Sequence, residues 1–148
     1  MVTLERVNET NAGILASLMR DPEAIVYAME PPSVGLTNIY FLIRKDNFDI
    51  GYCDLHSIDA VSRIAWTTIY IRSGKATVEE SNGAFKQLID FAWNTLNLRK
   101  LHADNHNDIL SRWMEKIGWQ REGTLKAEKY VDGKYVDQNI FSLFREGE

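Results

Sequence analysis

The 148-residue chain has a single cysteine, three prolines and no run of basic residues. One cysteine, Cys53, excludes an internal disulfide and fits a reducing compartment. It sits in an expected strand, which favours a small buried core residue over a nucleophile. Without a basic run, and with a net charge of −4, nucleic acid is not expected as a partner. No apolar run approaches the ~20 residues that a membrane span requires. The first residues lack the pattern of a secretory leader, so a cytoplasmic location is expected. Hydrophobic residues make up 45% and charged residues 26%, enough to build one ordinary core, so 1–148 is read as one domain.

Residues 2–7 alternate apolar and polar and predict a short strand. Asn8 or Thr10 can cap the helix that follows, with Ile14, Leu15, Leu18 and Met19 inward. Asp21-Pro22-Glu23 starts a second helix carrying Tyr27 and Met29, ended by Pro31-Pro32. Strands are expected over 38–44, 48–56 and 63–72, and their short connections imply an antiparallel meander. A helix is expected over 82–94, with Phe85, Leu88, Ile89, Ala92 and Trp93 on one face. A strand over 98–103 leaves it directly, which favours a parallel, right-handed crossover onto 63–72. The polar stretch 104–108 reads as a turn capping a helix over 109–117, with Gly118 as its stop. Strands over 119–122, 125–131 and 135–144 close the chain, the last two joined by an Asp132-Gly133 hairpin. The fold class is α+β: a mixed, mostly antiparallel twisted sheet flanked by about four helices.

The strand–loop–helix unit over 61–98 organises the rest. A loop entering a helix N-terminus is a potential anion site, because the first N–H groups lack intrahelical acceptors and carry partial positive charge. The N–H groups of Ser81, Asn82 and Gly83 are the candidates on the expected helix start.

Several segments in order carry a family resemblance. They are Ile50-Gly51-Tyr52-Cys53-Asp54, Leu96-Asn97-Leu98, Met114-Glu115-Lys116-Ile117-Gly118-Trp119, Glu122-Gly123 and Tyr130-Val131-Asp132-Gly133. Over about the last two-thirds of the chain this pattern resembles the GNAT superfamily of acyl-CoA N-acyltransferases. It is most similar to the branch that acetylates ribosomal-protein N-termini and to its small-molecule-acetylating relatives. The resemblance implies that strands 63–72 and 98–103 splay apart at one end. Acetyl-CoA would sit in the opening, its pantetheine arm pairing with Thr68, Ile69, Tyr70 and Ile71. An amine, either a small molecule or a protein N-terminus, would attack the thioester directly. No metal is implied, and a homodimer through the terminal strands is left open.

The resemblance also exposes departures. The family's phosphate-loop positions fall on Ala76, Glu79 and Ser81, so the usual glycines are replaced. Glu79 and Glu80 either face the pyrophosphate or serve as dipole-favouring acids ahead of the helix, and Gly74-Lys75 offers a looser alternative loop. Met114 stands where the family has a tyrosine that protonates the leaving thiolate, and a thioether cannot donate a proton. Asn107 is either the pantetheine-bonding asparagine or a helix cap. Asp54, His56 and His102 are the general-base candidates, each weighed against an ordinary surface or structural role. Tyr27, Glu30 and Trp66 are candidates for the acceptor side. The expected activity is acetyl transfer from acetyl-CoA to an amine. The alternatives are a GNAT-fold binding or regulatory protein that no longer turns over, or an acyltransferase using a donor other than CoA.

Overall fold

The computed structural model describes residues 1–21, 24 and 37–147. Seven strands form one sheet: β1 (Val2–Arg6), β2 (Ile39–Lys45), β3 (Phe48–Asp59), β4 (Ile64–Ile71), β5 (Lys100–Asn105), β6 (Gln120–Val131) and β7 (Lys134–Phe144). Three helices are described: α1 (Ala12–Met19), α2 (Val78–Asn94) and α3 (Asp108–Lys116). The expected second helix, with Tyr27 and Glu30, lies outside the described residues. The spatial order is β1-β2-β3-β4-β5-β7-β6, antiparallel throughout except for β4 and β5. The mixed, mostly antiparallel sheet and its flanking helices are as the sequence predicts.

Alternation along the strands sorts side chains to two faces. One face carries Phe41, Cys53, Leu55, Ala65, Leu101 and Phe141, and α2 packs Phe85, Leu88 and Ala92 into it. The other face carries Tyr40, Leu42, Tyr52 and Tyr70, covered by Leu15 and Leu18 of α1. Full burial of such side chains is worth about 1.5–3 kcal/mol each, so these layers hold the sheet between the helices. Cys53 is fully buried in the first layer, and burial raises its thiol pKa, as the core reading expects. Gly51 opposes Ile71 with its Cα against the Tyr70 carbonyl, and a Cβ there would overlap that oxygen.

Three of the departures from the expected boundaries have a clear structural cause. Helix α2 begins at Val78 rather than residue 82, because Thr77 and Glu80 form a reciprocal capping box. Strand β5 continues through Asn105, because Asp104 and Asn105 pair with Ile140 and Asn139 of β7. Strand β6 is one strand rather than two, and absorbs the irregularity at Gly123 and a second near Ala127 as register shifts against β7.

Candidate active site

Strands β4 and β5 share only three parallel pairs: Ile64 with Lys100, Ala65 with Leu101, and Trp66 with His102. Beyond them Thr67 Oγ1 donates to the His102 carbonyl at 2.9 Å, and the strands then diverge. The divergence is the splay expected from the sequence. Backbone parity decides which groups face it. The Arg63 carbonyl accepts from Arg99 N–H on the β5 side, and Arg72 N–H donates to the Ile50 carbonyl on the β3 side. Alternation therefore turns the N–H and C=O groups of Ile69 and Ile71 into the gap, and those of Thr68 and Tyr70 toward β3, while Thr67 N–H closes the last rung with His102.

A cavity of about 90 Å³ opens there. Its walls are Thr67, Thr68 and Ile69 of β4, Ala103, Asp104 and Asn105 of β5, Phe85 of α2, and Leu110, Trp113 and Met114 of α3. Thr68, Ile69 and Met114 of the expected binding residues thus meet at one cavity. Ile71 contributes a gap-facing backbone. Tyr70 is a correction. Its ring packs in the aromatic layer on the opposite face, and its hydroxyl donates to Asp21 Oδ2 at 3.1 Å.

On the α2/α3 side of the fork the polar groups are neutral. Asn105, Ser111 and Asn139 are buried and linked: Ser111 Oγ donates to Asn105 Oδ1 at 2.7 Å, and Asn139 Nδ2 donates to Ser111 Oγ at 2.9 Å. Asn107 is the N-cap of α3, its Oδ1 accepting from Ile109 and Leu110 N–H at 2.8 and 3.3 Å. Its side-chain oxygen is therefore committed to the helix.

On the opposite side the groups are ionisable. Asp54 and His56, two apart on β3, share a face, and His56 Nδ1 lies 2.7 Å from Asp54 Oδ1. Burial pushes the Asp54 carboxyl above its ordinary range, opposed by the hydrogen bonds and charge of His56 and by hydrogen bonds from Thr68. Asp104 lies across the fork and accepts from Gln138 Nε2 at 2.7 Å. Burial raises its carboxyl too, opposed by the charges of Lys129 and His56. His102 belongs to the paired stem rather than to the cavity wall. It stacks on Trp66 with centroids 4.7 Å apart. Burial, and then the nearby Lys100 charge, lower its pKa, which keeps the ring neutral near pH 7.

The helix α2 entrance needs a second correction. Ser81, Asn82 and Gly83 lie inside the helix, and Ser81 N–H already bonds the Thr77 carbonyl at 3.0 Å. Glu80 Oε1 accepts from Thr77 N–H at 3.1 Å and from Lys45 Nζ at 2.9 Å. The Lys45 hydrogen bond and the capping bonds hold the Glu80 carboxyl below its ordinary range. Helix geometry leaves the N–H groups of Val78 and Glu79 as the orphan donors at this end. Glu80 is thus a capping acid, one of the two readings the sequence allowed.

Asp104, Asn105, Ser111, Gln138 and Asn139 are site residues that sequence reasoning missed. Asp104 and Asn105 fall in the expected turn 104–108, and nothing local marks the other three. Among the described residues no group of three His, Cys, Asp or Glu is arranged to hold a metal, and no helix is long and apolar enough to cross a membrane.

No protein-family model matches the chain. It is 24% identical to the uncharacterized N-acetyltransferase p20 of Bacillus licheniformis over an alignment of 168 positions, covering 97% of this chain and 93% of that protein. It is 27% identical to the spermidine N(1)-acetyltransferase of Escherichia coli K12 over 107 residues, 71% of this chain and 58% of that enzyme. A crystal structure of spermidine N-acetyltransferase from Vibrio cholerae, in complex with CoA and spermine, superposes with a TM-score of 0.83 at 19% identity. It covers 97% of this chain and 95% of that one. The fold is the GNAT acetyltransferase fold, and these relatives and this neighbour are acetyltransferases.

Proposed function

We propose that this chain is an acyl-CoA-dependent N-acetyltransferase that moves the acetyl group of acetyl-CoA to the amine of a small molecule. One observation carries the proposal: β4 and β5 separate after three pairs, beside a mainly apolar cavity and the gap-facing backbone groups of Ile69 and Ile71. An extended arm containing amides and ending in a thioester suits that lining, because its amides can bond the strand edge as another strand would. The apolar walls from Ile69, Phe85, Leu110 and Trp113 suit its methylene segments.

The acceptor amine enters from the face that carries Asp54, His56 and Asp104. Its lone pair attacks the thioester carbonyl carbon, the C–S bond breaks, and the electron pair leaves on sulfur. His56 takes the amine proton, with Asp54 holding its Nδ1 and so orienting Nε2 as the accepting nitrogen. Carboxylates on this face favour a cationic amine, and the spermidine acetyltransferase relatives support a polyamine over a protein N-terminus.

The test has two stages. Acetyl-CoA titrated into the protein in a calorimeter is expected to bind with a dissociation constant on the order of micromolar to tens of micromolar. Thiol release is then followed with spermidine, spermine and an N-terminal peptide as acceptors. Turnover with the polyamines above the peptide supports the reading. Absence of binding at millimolar acetyl-CoA overturns it.

A second reading has one observation in its favour. Glu80 closes the capping box at the helix entrance where the pyrophosphate of CoA would rest. A donor lacking that pyrophosphate, such as an acyl-carrier protein, is then favoured. Acyl transfer from such a donor without transfer from acetyl-CoA selects this reading.

A further inference from the structure

We infer that Asn105 donates a hydrogen bond to the sulfur of the departing thiolate, a catalytic role that Met114 cannot fill. The inference rests on the acetyl-transfer reading above.

The orientation of the Asn105 amide is fixed by two obligate donors. The backbone N–H of Asn107 donates to Asn105 Oδ1 at 3.2 Å. A backbone amide has no acceptor capacity, so that atom must be the oxygen. The second constraint arrives from the protein surface. Arg121 Nη1 donates to Asn139 Oδ1 at 3.3 Å, and the Thr124 hydroxyl donates there at 3.0 Å. A guanidinium can only donate, so Asn139 presents its nitrogen to Ser111 Oγ. The Ser111 hydrogen is then directed to Asn105 Oδ1. Both lines agree, and Asn105 Nδ2 is left pointing the other way. Its single acceptor among the described residues is Met114 Sδ at 3.3 Å.

That arrangement spends a buried amide donor on a thioether, a weak acceptor. Asn105 is only 4% exposed and Met114 5%, and both line the cavity at the fork. A buried donor on a poor partner costs stability, and a thiolate sulfur beside it is a far better acceptor. As the C–S bond breaks, negative charge develops on sulfur and the Nδ2–H bond strengthens with it. The interaction is therefore larger in the transition state than in the ground state, as catalysis requires. No proton need move from Asn105; the thiolate takes its proton from water.

The ionisable groups around Asn105 are few. Arg121 of β6 and Glu115 of α3 are paired at 3.0 Å behind Asn139. Asp104 precedes it on β5, His106 follows it just past the strand, and Asp108 begins α3. The residues facing it from β4, α2 and β7 are Thr67, Ile69, Phe85 and Asn139, none ionisable.

The test is Asn105→Asp, an isosteric change that keeps an oxygen for Asn107 N–H and Ser111 Oγ and replaces the donor with an acceptor. At pH 8 kcat is expected to fall about tenfold or more, with the acetyl-CoA dissociation constant by calorimetry within about threefold. The ratio of variant to wild-type kcat is then expected to recover as pH falls toward the carboxyl's own pKa, because a carboxylic acid can donate where a carboxylate cannot. A purely structural role would not produce that recovery.

A measurement on the wild type covers the case in which the variant does not fold. The thiol of bound CoA, followed by its ultraviolet thiolate absorbance, is expected to ionise at lower pH than free CoA. An unchanged kcat in a folded, CoA-binding variant overturns the role of Asn105 alone, as does a kcat ratio that is flat with pH. So does a bound thiol that ionises no more readily than the free one. A wild-type protein that binds no CoA overturns the acetyl-transfer reading and this inference together.

Discussion

At the fork, the face under α2 and α3 presents neutral polar groups: the Asn105, Ser111 and Asn139 chain, with Met114 sulfur at its end. A strand thickness away, the other face presents Asp54, His56 and Asp104, with Lys129 close enough to act on the Asp104 carboxyl. The difference divides labour across one gap. A long, mostly uncharged donor arm is best held by amides and apolar walls, where no titration disturbs it. An incoming amine must lose a proton, and that requires groups that titrate. The sheet separates the two, and only the reacting atoms bridge it.

The largest way to break this comparison is His56→Gln. If the ionisable face handles the amine proton, kcat/KM falls roughly a hundredfold or more while calorimetric acetyl-CoA binding is unchanged. A comparable loss of acetyl-CoA affinity would mean that the faces are not separate. Asp54→Asn is expected to cost less, about tenfold in kcat. The imidazole stays but loses the carboxylate at 2.7 Å that orients it. The measurement is kcat against pH, whose acid limb should move downward as the imidazolium loses its partner.

Asp104→Asn sharpens the comparison through stability. Burial raises the Asp104 carboxyl above its ordinary 3.8, so the folded protein holds that proton more tightly than the unfolded chain. Stability from this group is therefore fullest at acid pH and is lost as pH rises from the ordinary value through the raised one. Asparagine does not ionise, so the variant is expected to melt above wild type at neutral pH. That advantage should vanish below about pH 4 in thermal melts.

The smallest effect is expected from Glu80→Gln, which removes one acid from the helix entrance where the pyrophosphate is expected. Acetyl-CoA affinity should rise severalfold at low salt, and the gain should shrink as salt is added. The Glu80 charge is already paired with Lys45 at 2.9 Å, which is why this effect ranks last.

The meander, the parallel crossover and the closing hairpin were legible because each rests on local pattern and short connections. Asp54 and His56 were legible only as separate candidates; their pairing follows because residues two apart on a strand share a face. The far end of β5 was not. Asp104-Asn105-His106-Asn107-Asp108 has turn composition, and only pairing with Ile140 and Asn139, distant in sequence, makes its first two residues strand. The polar network was invisible for the same reason: its members come from β5, α3, β6 and β7. The start of α2 was missed despite a signal. Thr77 followed three residues later by Glu80 is a capping-box pattern, and reading it would have placed the helix four residues earlier.

The short stem of the fork has a consequence for solvent exchange. Amide hydrogens of Ile69 and Ile71 have no strand beside them, although they sit in the middle of a seven-stranded sheet. In deuterated water they should label much faster than their neighbours Thr68 and Tyr70, which are locked to β3. A bound molecule that zips onto β4 should slow those two positions selectively, and so report its own path through the protein residue by residue.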